Sequence, residues 1–169
     1  MNEPNPIYSR IFDSHIWIRP EGRGTFQESA IIKELVERCL EQGAKAFVVD
    51  LEACPGMDST FMGMLAGFGI DFRKTGRAKL AIVGTNEKTL ASLKELGLQH
   101  LLVIEPANGP WIERWDEARS DLELIDLKST IDREEHILEC HQDLCEADEA
   151  NFEKFSTVLE MLGGKRAGA

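Results

Sequence analysis

Asp58, Ser59 and Thr60 follow the chain break at Pro55-Gly56 and precede Phe61, Met62, Leu65, Phe68 and Phe72, which are spaced as on a helix. Two kinds of chemistry suit an Asp-Ser-Thr cluster in that place. The aspartate can start the helix by accepting hydrogen bonds from its free first-turn amides, which contributes about 0.5–2 kcal/mol relative to alanine. Alternatively, the hydroxyl of Ser59 can accept a phosphoryl group, gaining about −1.5 to −2 charges and three acceptor oxygens. A helix N-terminus tolerates that charge through its dipole and unpaired amides, so the fold survives while the surface changes. A partner fitted to a neutral, solvent-accessible hydroxyl would then meet a dianion beside Asp58 and be expelled.

Other constellations carry less. His136, Cys140, His141 and Cys145 are metal-ligand types, but at about 100° per residue His136 and Cys140 share one helix face and His141 and Cys145 another. One helix therefore cannot close all four around a tetrahedral ion. Gly22-Arg23-Gly24 lacks the third glycine and the strand-to-helix context of a dinucleotide fingerprint, and no Walker lysine motif occurs. Ser59 is not in a Gly-x-Ser-x-Gly elbow, and nothing marks His15 or His100 as its base. No catalytic residue, metal or cofactor is expected.

The elements that must position Ser59 are readable from hydrophobic pattern. Ile7–Phe12 and His15–Ile18 read as strands joined by a turn at Asp13-Ser14. After the loop 20–25, Phe26, Ile31, Leu35, Val36 and Leu40 recur at helical spacing until Gly43. Ala46–Leu51 is a short apolar run suited to a strand buried on both faces. The helix after Ser59 ends at Gly76, and Leu80–Val83 is the next strand. A helix with Leu90, Leu93 and Leu96 stops at Gly97, and Leu101–Ile104 is the last strand. Strands alternating with helices at this spacing argue for an α/β fold, a mixed sheet with a parallel core and flanking helices. Residues 107–123, with Trp111 and Trp115, read as an acidic linker able to fold back on the domain. Residues 124–169 carry two more amphipathic patterns, the second with Asp148 as its N-cap, and form a C-terminal helical hairpin whose apolar faces cover each other, the domain or another molecule.

Composition narrows the partners. Of the net charge of −11, residues 1–106 account for −2 and residues 107–169 for −9. Nucleic acid and anionic membranes would be repelled, so a protein or small-molecule partner is favoured, and a homo-oligomer is compatible with the sequence. The polar N-terminus, the absence of a run of about 20 apolar residues and four scattered cysteines suggest a cytoplasmic protein with reduced thiols.

The strand Phe47–Leu51, the segment Met57-Asp58-Ser59-Thr60-Phe61-Met62-Gly63-Met64-Leu65, then Ala78–Gly84 and Leu93-Lys94-Glu95-Leu96-Gly97-Leu98 together resemble the bacterial anti-sigma factor antagonists of the STAS family, over residues 1–106. The resemblance implies a non-enzymatic binding switch that captures an anti-sigma factor kinase. That kinase uses ATP to phosphorylate the serine directly after the motif aspartate, here Ser59 after Asp58. Gly63 and Leu65 match motif positions. Phe61 stands where the motif has glycine, and Thr25 stands in the loop where many relatives carry an acidic residue facing the kinase. Asp58, Thr60, Phe61, Gly22, Arg23 and Thr25 are accordingly expected at the partner surface. The alternative is a scaffold or adaptor that binds a fixed partner through the acidic tail, with Ser59 only starting its helix.

Overall fold

The computed structural model describes residues 3–167, with residues 165–167 described as backbone only. The outermost residues of the first and last expected segments, 1–2 and 168–169, lie outside the described residues. The antiparallel strands β1 (Ile7–Phe12) and β2 (His15–Pro20) form the expected hairpin, and the helix α1 (Phe26–Glu41) follows. The helix ends as its glycine predicted: the N–H of Gly43 donates to Leu40 O (3.0 Å) and that of Ala44 to Cys39 O (2.9 Å), with Gly43 at φ +95°. β3 (Ala46–Asp50), α2 (Ser59–Thr75), β4 (Lys79–Val83) and α3 (Glu87–Glu95) alternate as read. The last predicted strand is shorter than expected. Leu98–His100 form a 3-10 turn, Leu101 and Leu102 still belong to that turn region, and only Val103–Ile104 pair as β5.

The sheet order is β5-β4-β3-β2-β1-β6, with β2 through β5 parallel and β1 antiparallel to both its neighbours. β6 is Glu123–Leu124, paired with Tyr8 and Ser9 of β1. Side chains alternate across the parallel strands, as a pleated sheet requires. Ile18, Phe47, Val49 and Ile82 face a large core that also takes Ile31, Ile32 and Val36 from α1, Leu65, Phe68 and Phe72 from α2, and Leu93 from α3. Trp17, Val48, Ala81 and Val83 face a second, smaller core on the opposite side of the sheet.

Residues 107–123, read as a linker able to fold back on the domain, close that second core. Trp111 and Ala118 are buried in it, Ala118 from the short helix α4 (Trp115–Arg119) that precedes β6 in the chain. Trp17 meets Trp111 and Trp115 edge to face, each at a centroid distance of 6.1 Å, geometry that adds about 0.5–1.5 kcal/mol per pair to area burial. The physical reason is simple: a sheet face carrying a tryptophan needs an apolar cover, and the two later tryptophans supply it.

The tail forms the helical pair α5 (Arg133–Ala147) and α6 (Ala150–Ala167). Asp148 accepts a bond from the N–H of Ala150 (3.0 Å) at the start of α6. Of the alternatives for the tail's apolar faces, two are realised together: α5 packs on α2 and α1, and α6 packs on α5. α2 shows why. No charged residue separates Asp58 from Asp71, and every residue from Thr60 to Ala66 is buried, so the first half of α2 has no solvent face. A helix buried all round needs neighbours on both sides; the sheet is one and α5 the other.

Candidate functional site

Ser59 is the first residue of α2 and Asp58 its N-cap. The Asp58 carboxylate begins two helices at once: Oδ1 accepts from the N–H of Phe61 (2.8 Å) in α2, and Oδ2 from the N–H of Phe26 (2.9 Å) in α1. Its own N–H donates to Gly24 O (2.8 Å), while the N–H of Gly24 donates to Gly56 O (2.9 Å). The loops 22–25 and 53–58 are thereby bolted together. Burial pushes the Asp58 carboxyl above its ordinary pKa, against the downward pull of the Phe61 and Phe26 amides and of Arg23, with Glu28 adding to the rise.

The other expected partner-facing residues divide. Arg23 is exposed beside this loop pair, and Gly22 is partly so. Thr25 caps α1: its hydroxyl accepts from the N–H of Gln27 (3.2 Å), and Glu28 returns a bond to the Thr25 N–H (2.8 Å), completing a capping box. Thr60 and Phe61, expected on the surface, are buried at 5% and 0% exposure. Phe61 points inward because the missing side chain of Gly24 leaves it room; a Cβ there would lie 2.8 Å from the phenyl ring. The residue that replaces the motif glycine therefore enlarges the core and not the surface.

The Ser59 hydroxyl is only partly exposed and is not free. It lies 2.9 Å from Nε2 of His141 on α5. Nδ1 of the same ring lies 2.7 Å from the Ile137 carbonyl oxygen, which can only accept, so Nδ1 carries the proton and Nε2 receives the Ser59 O–H. Phe155 of α6 closes over the imidazole edge to face at 5.0 Å. His141 is itself buried at 3% exposure. Sequence spacing placed His141 only among candidate metal ligands, 82 residues from the serine it touches.

Of the four candidate ligands, His136 and Cys140 contact each other while His141 faces Ser59. His136 Nε2 lies 2.7 Å from the Ser29 hydroxyl, which itself donates to Phe26 O (2.9 Å). The Cys140 Sγ is 3.7 Å from the His136 ring nitrogens. Among the described residues no group of three His, Cys, Asp or Glu side chains is arranged to hold a metal ion. All four cysteines are free thiols, and burial pushes that of Cys140 up to about 12.

A second polar cluster was not legible as a site. Asp50, fully buried at the end of β3, accepts from Arg19 (3.0 Å), from Arg119 (2.8 and 3.1 Å), from the Trp17 indole N–H (3.2 Å) and from the Glu52 N–H (3.1 Å). Burial alone would raise the Asp50 pKa; the Arg119 and Glu52 bonds and the charges of Arg119 and Arg19 outweigh it and hold the carboxyl below its ordinary value. Arg119 also pairs with Glu52 and lies 4.6 Å over the Trp115 ring. The signal was an aspartate closing a strand buried on both faces, because such a charge requires a counterion.

With this geometry in view, the comparisons with known proteins fall into place. The sequence profile of the STAS domain family matches residues 7–109. The chain belongs to that family. Among solved structures it is similar to a Thermotoga maritima protein assigned as an anti-sigma factor antagonist (20% identity, TM-score 0.54, covering 66% of this chain and 92% of that one). It is also similar to the anti-sigma factor antagonist SpoIIAA in its unphosphorylated form (16% identity, TM-score 0.51, covering 68% and 98%). At these identities the likeness supports the fold. No curated protein matches the chain in sequence. The helices α5 and α6 lie beyond the family-matched residues, and no helix among the described residues is long and apolar enough to cross a membrane.

Proposed function

We propose that this protein is an anti-sigma factor antagonist, a cytoplasmic binding switch and not an enzyme, in which Ser59 is the phosphoacceptor and the surface around it captures an anti-sigma factor kinase. One observation carries the reading. Of the three motif residues, Asp58 is committed to capping two helices and Thr60 is buried, while the Ser59 hydroxyl caps nothing and is only partly buried, against His141 of the tail. Exposed Arg23 lies on the loop bolted to Asp58 and offers the partner a charged contact. In the proposed reaction the γ-phosphoryl group of ATP passes to Ser59 Oγ, ADP leaves, and the hydroxyl proton goes to a base of the kinase. The product places its dianion over the first-turn amides of α2.

The test is direct. The full chain is incubated with ATP and a lysate containing the native kinase, and phosphate is sought at residue 59 by mass spectrometry, with Ser59→Ala as control. Ser59→Asp is expected to weaken capture of the kinase. Absence of phosphate at residue 59 together with unchanged capture by Ser59→Asp would favour the scaffold reading, in which the acidic tail binds a fixed partner and the His141 contact holds Ser59 in a purely structural role.

A further inference from the structure

Four observations converge on the α2–α5 contact. First, the Ser59 hydroxyl lies 2.9 Å from His141 Nε2 and the other ring nitrogen is fixed by Ile137 O, so α5 sits directly over the acceptor hydroxyl. Second, α5 lies so close to α2 that only glycine fits at residue 63, where a Cβ would be 2.3 Å from the Cys140 carbonyl oxygen, and the Asp143 side chain fills the space over Gly67. Third, the seam mixes polar with apolar contacts, Leu138, Cys140 and Leu144 being buried beside the two histidines. α5 seats His136 and His141 against α1 and α2, α6 buries Asn151, and only Cys140 and Leu144 of α5 are buried members of the main apolar core. Fourth, the tail is fastened by separate polar pins: Lys33 to Glu139 (2.6 Å), Asn151 to Leu96 O (2.9 Å) and Lys154 to Glu95 O (2.8 Å).

We propose that the α5–α6 hairpin is a resident competitor for the Ser59 face: docked, it covers the acceptor hydroxyl, and a protein partner reaches Ser59 only when the hairpin lifts. The inference rests on the reading of Ser59 as the switch residue and adds the control over it. A phosphorylated Ser59 would bring three bulky anionic oxygens into a 2.9 Å gap beneath a helix with five acidic residues and one arginine, so bulk and like charge oppose docking. Modification therefore holds the hairpin off, and a docked hairpin delays modification. The competition is quantitative. A hairpin docked in 99 of 100 molecules lowers the apparent affinity of any partner for this face about 100-fold.

The experiment uses the full chain and does not depend on the native kinase. In Ser59→Cys, alkylation by iodoacetamide is followed at residue 59 by mass spectrometry, alone and combined with Gly63→Leu, which favours α2 as a helix but fills the space of the Cys140 carbonyl. The expected result is at least a tenfold faster reaction in the double variant, with hydrogen-exchange protection lost over residues 133–147 and kept in β3 and β4. His141→Ala serves as a milder second release, and Ser59→Asp is expected to release α5 by charge alone. Two results would overturn the proposal: equal alkylation rates with α5 still protected, or loss of protection in β3 and β4 together with α5, which would make the hairpin part of the indivisible core. Failure of Ser59 to become phosphorylated would leave these measurements unaffected, so the two readings fail separately.

Discussion

The stretch that carries α4 and β6 and the stretch that carries α5 and α6 both add to the family-matched domain, yet they attach by opposite chemistry. The first buries two tryptophans against Trp17 and locks Arg119 onto a fully buried carboxylate. The second lays histidines, a cysteine and an aspartate against a stripe of glycines, with ion pairs at its rim. Apolar burial plus a paired buried charge makes a segment inseparable, because its release exposes the tryptophans and strands Asp50. The α5 seam also buries Leu138, Cys140 and Leu144, but its release strands no fully buried ion pair among the described residues, and each of its hydrogen bonds contributes only about 0.5–1.5 kcal/mol net. The first attachment suits a structural cover, and the second suits a part that moves.

The largest expected effect breaks the first attachment. Asp50→Ala leaves Arg19 and Arg119, at 14% and 20% side-chain exposure, without their buried partner. The expected cost is about 3–5 kcal/mol, the usual range for splitting a buried pair. Urea denaturation followed by tryptophan fluorescence should show one cooperative transition at a lower midpoint. A loss under about 1 kcal/mol would mean that solvent reaches the cluster, because exposed pairs contribute no more than that, and the contrast between the two attachments would collapse.

That contrast also marks where the sequence was readable. The strands and helices from Ile7 to Leu96 announce themselves through local periodicity, and Gly43, Gly76 and Gly97 end helices as glycines do. β6 is two residues long and has no period to detect; its partner, β1, is more than a hundred residues away. Asp50 and Arg119 are 69 residues apart, and Ser59 and His141 are 82 apart, so no spacing rule links them. One signal was present but not used. The uncharged run from Ser59 to Ile70 leaves α2 without a polar face, and a helix of that kind inside a surface layer calls for a cover. The inward turn of Phe61 was unreadable for another reason: it depends on the empty space at Gly24, in a loop that meets α2 only in three dimensions.

A smaller effect sharpens the second attachment. His136 is pushed down to about 4 by burial and by the positive charge of Lys33, with Glu139 pulling the other way. Ser29 and Cys140 are its other neighbours. A released tail would hold His136 near its ordinary 6.5, so between pH 6.5 and about 4 the released form binds a proton that the docked form refuses. Docking on this account weakens as pH falls through that window, by up to about 3 kcal/mol in all. His136→Gln keeps a side-chain partner for Ser29 and removes the titration. Hydrogen-exchange protection of residues 133–147, corrected for intrinsic rates, should then no longer fall on acidification and should rise.

The rise comes from Asp143, and it leads to the smallest expected effect. Burial, together with the charges of Glu139 and Glu146, pushes the Asp143 carboxyl up to about 6, while Lys33 and Lys74 pull it down. Here the docked form binds the proton first, so between about 6 and the ordinary 3.8 docking strengthens as pH falls, opposite in sign to His136 and over nearly the same window. In the natural chain the two responses partly offset, and docking should weaken by only about 1–2 kcal/mol from pH 6.5 to 4. Asp143→Asn removes one side of that balance. At pH 7 it relieves an ionised carboxylate held against Gly67 among two other acids, and after allowance for partial solvent screening the gain in docking is about 1–2 kcal/mol. Below pH 6.5 the same variant should show the full acid sensitivity of His136. Protection over residues 133–147 should therefore be higher than in the natural chain at pH 7 and fall more steeply toward pH 4.5. A variant that follows the natural chain at every pH would place Asp143 in solvent and leave the seam closer in character to the tryptophan-covered face.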